Sequence, residues 1–254
     1  MKKNNIICVF VPDVHGRTFW KDIKKFDCDI IFLGDYLDPY DFENISKKKA
    51  LDNFKEIIEY RKNHDNVTLL LGNHDCEYAI SKRVCNCRCD DSRYDDIRQL
   101  FIDNAQYFSF ATIRNYANRK YLISHAGVNP YWIKNYKDFF NLTYIVNLKC
   151  NQCDDLTYKQ FCSSLCDVSG YRGGLDAFSS FVWSDIREFM NMEDKTYMFA
   201  DLLGYTQICG HTRLKEKAIQ TGPLTCIDLK KIVLLDDQGN LKNKDLSPLE
   251  TVYL

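Results

Sequence analysis

The chain has 254 residues, a formal net charge of −1 and 45% hydrophobic residues, enough for one large domain with a sizeable core. The near-neutral balance argues against a strongly electrostatic nucleic-acid or membrane binder. No apolar run approaches the roughly 20 residues that a membrane helix needs.

In chain order, Ile6–Val11 reads as a buried strand: short, apolar and rich in branched residues. Met1-Lys2-Lys3 before it mimics the start of a signal peptide, but the apolar run is too short and stops at Pro12-Asp13, so a cytoplasmic protein is expected. The strand runs into Asp13-Val14-His15-Gly16, and a helix is expected over residues 18–26. A second apolar run, residues 29–33, empties into Gly34-Asp35-Tyr36-Leu37-Asp38-Pro39-Tyr40. A long helix over 46–63 follows, with Leu51, Phe54, Ile57 and Ile58 on one stripe. The third run, 67–71, delivers Gly72-Asn73-His74-Asp75. From 76 to 93 cysteines and charges dominate and periodicity is lost, which reads as an irregular Cys-rich excursion. A short helix is expected over 95–104. Residues 108–113 and 120–124 read as a strand pair turning at 115–118, and the second strand ends in His125-Ala126-Gly127. Residues 131–174 read as an aromatic, Cys-rich and partly helical insertion within a single domain spanning 1–254. Residues 178–183 lead into Ser184-Asp185-Ile186-Arg187, and a strand at Tyr205–Cys209 ends in Gly210-His211-Thr212. Runs at 217–220, 224–229 and 232–236 suggest an antiparallel meander, and the last residues a tail. Twelve cysteines without a secretory signal read as thiols. The groups Cys85, Cys87, Cys89 and Cys150, Cys153, Cys162, Cys166 lack the spacing of a paired zinc ribbon; a structural zinc there is conceivable, but free thiols are favoured.

Five strands thus end in loops that carry His, Asp or Asn: Asp13 with His15, Asp35 with Asp38, Asn73 with His74, His125, and His211. Ligands of an open α/β sheet lie outside the carboxyl ends of its strands, so these loops should converge on one rim. Four of the five histidines fall in them, and His64, at a polar helix end, is assigned no function. Singly, each residue has a structural explanation. Asp13 would cap a helix, Asp35 and Asp38 would be turn residues, and His125 or His211 would be a hydrogen-bonded structural histidine. Their conjunction at five strand exits points instead to a metal centre.

The ligand types imply two ions. Asp13 and His15 reach one ion from a single turn, Asn73, His125 and His211 hold a second, and the Asp35 carboxylate bridges them. Two ions about 4 Å apart clamp a phosphoryl group and lower the pKa of a shared water, which becomes a hydroxide nucleophile. His74 is then free to act as general acid, oriented by Asp38 through its other ring nitrogen. Oxygen and nitrogen ligands without thiolate suit divalent Mn, Fe or Zn.

These motifs, Asp13-x-His15-Gly16, Gly34-Asp35-x-x-Asp38, Gly72-Asn73-His74-Asp75, His125-Ala126-Gly127 and Gly210-His211-Thr212, in that order, resemble the calcineurin-like metallophosphoesterase superfamily. The resemblance implies a four-layer α/β/β/α sandwich of two mixed sheets with outer helices. Arg213 stands where many diesterases of the superfamily have a second histidine. That is similar to the branch of serine/threonine protein phosphatases and symmetrical diadenosine tetraphosphatases, and the stretch from Ser124 to Trp132 looks most like its bacterial and phage members. The branch usually has Arg-Gly after the second aspartate, where the arginine holds a phosphate oxygen; this chain has Pro39-Tyr40. Arg187 is the leading substitute, since a guanidinium suits phosphate, with Arg17, Arg93 and Arg213 as further candidates. The expected function is a metal-dependent phosphomonoesterase acting on a phosphorylated protein or small molecule. The alternatives are a hydrolase of dinucleoside polyphosphates or other nucleotides and, ranked lower, a non-catalytic scaffold.

Overall fold

The computed structural model describes residues 5–80, 88–150, 156–190, 202 and 204–254. Along β1 (Ile6–Val11) successive side chains face opposite sides of a sheet, as strand geometry requires. Val9 and Val11 join one apolar cluster, Cys8 and Phe10 another. The same split recurs in β2 (Asp29–Phe32), where Ile30 and Phe32 face away from Ile31. On one side the cluster gathers α1 (Lys47–Lys62) through Phe54 and Ile57. Ser46 caps that helix by accepting from the Lys49 amide at 3.2 Å. On the other side lies a second sheet.

β1, β2, β3 (Val67–Leu70) and β4 (Phe108–Ser109) run parallel in the first sheet. Its helical connections include α1, α2 (Asn73–Ala79) and α3 (Tyr94–Asp103). The chain then changes sheets at the buried Phe110. β5 (Ala111–Tyr116) and β6 (Arg119–Ser124) form an antiparallel hairpin in the second sheet. Its turn, Ala117-Asn118, has positive φ at both residues (47° and 59°), the twist that a two-residue hairpin loop demands. Three short helices follow, α4 (Pro130–Asn135), α5 (Leu142–Asn147) and α6 (Leu156–Ser164), and their Trp132, Ile145 and Phe161 share a cluster with Leu122 of β6. α7 (Ile186–Met190) precedes β7 (Tyr205–Cys209). β8 (Ala218–Thr221) and β9 (Leu224–Cys226) complete a hairpin beside β7. β10 (Val233–Asp236) and β11 (Leu241–Lys242) return to the first sheet, and β12 (Thr251–Tyr253) joins the second.

The result is two mixed six-stranded sheets, ordered β11-β10-β1-β2-β3-β4 and β12-β8-β9-β7-β6-β5. Phe10, Ile31, Leu70, Ile123, Ile208 and Leu235 share the core between them.

Several expectations change in detail. Residues 18–26 hold a 3-10 segment, Phe19–Lys25, rather than an α-helix. The expected strand over 108–113 divides at Phe110 between the two sheets. The expected meander loses its third strand, because β10 pairs antiparallel with β1 in the other sheet. The expected tail carries β12, which pairs parallel with β8. The start of the excursion is helical, since α2 reaches Ala79. Residues 81–87, with Cys85 and Cys87, lie outside the described residues, as does Cys153. Cys150 and Cys166 are free thiols. Among the described residues no helix is long and apolar enough to cross a membrane.

Candidate active site

The five loops meet where the carboxyl ends of β1, β2, β3, β6 and β7 come together across the two sheets. Four of the polar residues concerned take left-handed backbone: His15 (φ 44°), Asp35 (53°), Asp38 (56°) and His211 (63°). Each such non-glycine conformation costs on the order of 1–3 kcal/mol and persists only where the surroundings enforce it. Here they do. The amides of Val14 and His15 both donate to the Asp35 carbonyl, at 3.1 and 2.6 Å, which folds the first loop onto the second. The third loop is fastened to the second by Asp75. Its Oδ2 accepts from the amides of Asp35 (2.6 Å) and Gly72 (2.8 Å), and its Oδ1 from the amide of Tyr36 (3.0 Å). Close approach makes glycine obligatory at Gly72, where a Cβ would stand 2.2 Å from Asp35 Oδ1 and 2.8 Å from His125 Cε1.

Asp35 sits at the centre. Its Oδ1 accepts from the His74 amide at 3.0 Å, while its Oδ2 lies 3.5 Å from His15 Nε2 and 3.6 Å from His125 Nε2. His15, Asp35 and His74 bring potential ligand atoms within 4.8 Å of one another, and so do Asp35, His125 and His211, so Asp35 belongs to both groups. Asp13 adjoins them, its Oδ1 accepting from the His211 amide at 2.9 Å. All are buried.

The protonation of this cluster shows what it is built to hold. His15 donates from Nδ1 to the Leu37 carbonyl at 2.9 Å, and His125 from Nδ1 to the Leu33 carbonyl at 2.7 Å. In the neutral rings this leaves both Nε2 atoms as bare acceptors. His125 Nε2 then faces Asn73 Oδ1 at 3.1 Å, another acceptor, and His211 Nδ1 at 3.1 Å. Buried acceptors converging with too few protons between them are satisfied by a cation, and the donor set of carboxylate, amide oxygen and imidazole fits a divalent transition ion. The His15 and His211 imidazoles stay neutral. Burial first, then the charges of neighbouring histidines and arginines, lowers His15 to about 3 and His211 well below its ordinary value. Burial, then the charge of Asp13, raises Asp35.

His74 has a second partnership. Its Nδ1 lies 2.8 Å from Asp38 Oδ2, and Asp38 Oδ1 accepts from the Tyr78 hydroxyl at 2.7 Å. Burial raises Asp38 to about 7, although Tyr78 and then Arg88 oppose it. Burial, then Arg88 and His125, lowers His74 to about 3. The ring of His74 packs edge-on to that of His15 at 5.0 Å.

Arg187 lies elsewhere in the network. It makes a bidentate pair with Asp185 (2.7 and 3.0 Å), donates to the Tyr171 carbonyl, and is 54% exposed. Asp185 also meets Arg172 Nε at 2.9 Å, and Arg172 donates to Thr212 Oγ1, beside His211. Arg17 is held by Glu43, and Arg93 by Asp90. Sequence reasoning missed three contributors. Asp75 stood inside a quoted motif without a role. Tyr78 lies one helical turn after His74, on a helix that carried no apolar stripe. Arg88, which donates to the Asp38 carbonyl at 3.1 Å, falls in the aperiodic excursion.

The sequence model of the calcineurin-like phosphoesterase family matches residues 9–212. A search of curated proteins found no match. Among solved structures, the chain is similar to the cold-active protein-tyrosine phosphatase of a psychrophile, Shewanella sp., with 17% identity and a TM-score of 0.54 over 95% of this chain and 78% of that one. At that identity the likeness bears on the fold.

Two outcomes follow from the geometry. Asp75→Ala leaves three backbone amides without their acceptor and should cost about 3 kcal/mol or more in urea unfolding; a loss below about 1 kcal/mol would dismiss the carboxylate as a fastener. A divalent ion at about a hundred times its Kd should stabilise the fold by about 2.7 kcal/mol, or roughly 5–10 °C in Tm, and Asp35→Asn should abolish the shift. Because the Asp35 pKa is raised, its contribution to metal-free stability is present at low pH and lost as pH rises through the raised value, where the cation competes with fewer protons. The shift should therefore grow as pH rises through the Asp35 titration in a thermal melt; a shift independent of pH would count against this ligand set.

Proposed function

The chain belongs to the calcineurin-like phosphoesterase family, a family of metal-dependent phosphate-ester hydrolases, and on that premise we propose that it is a phosphomonoesterase with a dinuclear metal centre and a histidine general acid. Asp13, His15 and Asp35 would hold one ion and Asp35, Asn73, His125 and His211 the other, with Mn²⁺ the favoured metal and Fe or Zn²⁺ alternatives. Two such ions supply positive charge to a phosphoryl group and lower the pKa of a shared water. The observation that carries the reading is the pair formed by His74 and Asp38 beside that ligand set.

The chain's own groups divide the remaining work. Asp38 fixes the His74 ring through Nδ1 and leaves Nε2 to face the cluster. His74 and Asp38 together hold one transferable proton, which the ring delivers from Nε2 to the departing oxygen while the Asp38 carboxylate stabilises the ring as it charges. Tyr78 holds the second oxygen of Asp38, so the carboxylate keeps its orientation while the proton moves. The burial of both groups excludes water from the transfer.

A second reading, hydrolysis of dinucleoside polyphosphates, draws on one observation. Phe42 is 60% exposed beside Tyr40, with Arg213 4.9 Å and Lys230 5.4 Å from its ring, a face on which a base can stack.

A panel of an aryl phosphate monoester, the matching diester, a phosphopeptide and diadenosine tetraphosphate, assayed in Mn²⁺ with Asp35→Asn as control, separates these readings. Turnover of monoester and phosphopeptide, lost in the control, is the expected result; preference for the dinucleotide would transfer the assignment. His74→Asn should lower turnover of substrates with poor leaving groups by about 10²–10⁴-fold while bound metal stays constant. Loss of metal in the same proportion would make His74 a ligand instead.

A further inference from the structure

Tyr40 takes the place after Pro39 in the loop that carries Asp35 and Asp38. Its ring stands edge-on to His15 at 5.0 Å, and three guanidinium groups surround it. Arg88 Cζ lies 3.9 Å from the ring centroid, Arg213 Cζ 5.7 Å and Arg17 Cζ 5.8 Å. The three differ in what else they hold. Arg17 is nearly buried and makes a two-pronged pair with Glu43, at 2.8 and 2.9 Å. Arg88 and Arg213 are exposed, and among the described residues neither has a carboxylate within ion-pair distance. Arg88 is steadied by its hydrogen bond to the Asp38 carbonyl and by the Tyr40 face, Arg213 by Tyr40 and by Phe42 at 4.9 Å. Arg172 and Arg187, by contrast, are both committed to Asp185.

We propose that Arg88 and Arg213, seated on the Tyr40 ring, form an anion-binding site that selects dianionic phosphoryl groups for this centre. An aromatic face holds a guanidinium in place without neutralising it, so both cations keep their donors and their charge for a ligand. A phosphate monoester carries close to two negative charges above pH 7, a diester one. Two guanidiniums beside His15 and the Asp38 loop, without a carboxylate partner among the described residues, match the first and over-match the second. Arg88 also ties selection to chemistry, because the carbonyl it grips belongs to the residue that orients His74. This selectivity rests on the monoesterase reading, while the anion site can be tested without turnover.

The test uses the metal-loaded full chain, Arg88→Ala, Arg213→Ala and the double variant. Both side chains are exposed, so the core should be undisturbed, with Tm and metal content as checks. Each single variant should lower kcat/KM for the aryl monoester by roughly 10- to 100-fold, the range of a charge-assisted hydrogen bond, and that for the matching diester by about threefold or less. Inorganic phosphate, titrated by calorimetry, should bind the double variant at least about 100-fold more weakly than the parent. Unchanged phosphate affinity, an equal fall on both esters, or a larger fall from Arg187→Ala would overturn the proposal. If the parent hydrolyses no monoester, the monoesterase reading fails, and loss of phosphate binding in the double variant would still support the anion site.

Discussion

The structure depends on a set of buried acceptors turned toward one another. Asp35 Oδ2, His15 Nε2 and His125 Nε2 converge with too few protons between them, at sites 3% exposed or less. Interiors ordinarily pair such groups, and leaving them unpaired costs free energy. The chain maintains the arrangement by over-determining the loops. Asp75 gathers three amides, the Leu33 and Leu37 carbonyls fix two imidazole tautomers, and Gly72 lets two loops approach closer than a Cβ permits. Left-handed backbone at His15, Asp35, Asp38 and His211 is part of the same cost. A site strained in this way is stable because its supports are rigid, and a cation removes the reason for the strain.

The proposed ligand set is divided between the sheets. Asp13, His15, Asp35 and Asn73 follow strands of the first, and His125 and His211 follow strands of the second. The apolar layer between the sheets, with the bonds from His125 Nδ1 to the Leu33 carbonyl and from the His211 amide to Asp13, brings the halves into register. Phe10, Ile31 and Leu70 meet Ile123 and Ile208 there, each immediately before a ligand-bearing loop. Core packing and site geometry are therefore one property. A substitution that shifts one sheet against the other by a fraction of an ångström changes the distances about Asp35 before it exposes much apolar surface.

What the sequence revealed follows the same physics. Short apolar runs ending in Gly, Asp, His or Asn are local signals, and they located all five loops, while helical spacing located the stripe of α1. Partner choice between sheets is not local. The strand over 108–113 and the run at 232–236 carry the right period, yet nothing in the period says that Phe110 marks a crossing or that Val233 pairs with Phe10. β12 was hidden because three residues at a sheet edge need no apolar alternation. Arg88 was hidden for another reason: its position is set by one carbonyl and one aromatic ring far away in sequence, and neither leaves a mark in a neighbourhood of cysteines and charges.

The last step concerns how charge changes sign with depth. The floor of the site gathers the buried carboxylates of Asp13, Asp35, Asp38, Asp75 and Asp228, with the His15 and His211 imidazoles that burial keeps neutral. Asp228 extends this floor. Burial, then the charge of Asp13, raises its carboxyl, and its Oδ1 has no partner among the described residues. Above the floor, around Tyr40, stand the exposed guanidiniums of Arg88 and Arg213. A negative floor attracts divalent cations, and a positive rim attracts the phosphate ester that those cations polarise. Either charge layer alone would oppose half of the chemistry. Tyr40 separates them: a neutral ring, edge toward His15 and faces toward arginine, keeps the guanidiniums from collapsing onto Asp35 and Asp13 as ion pairs. Tyr40, two residues after Asp38, thereby fixes where cations stand outside that loop.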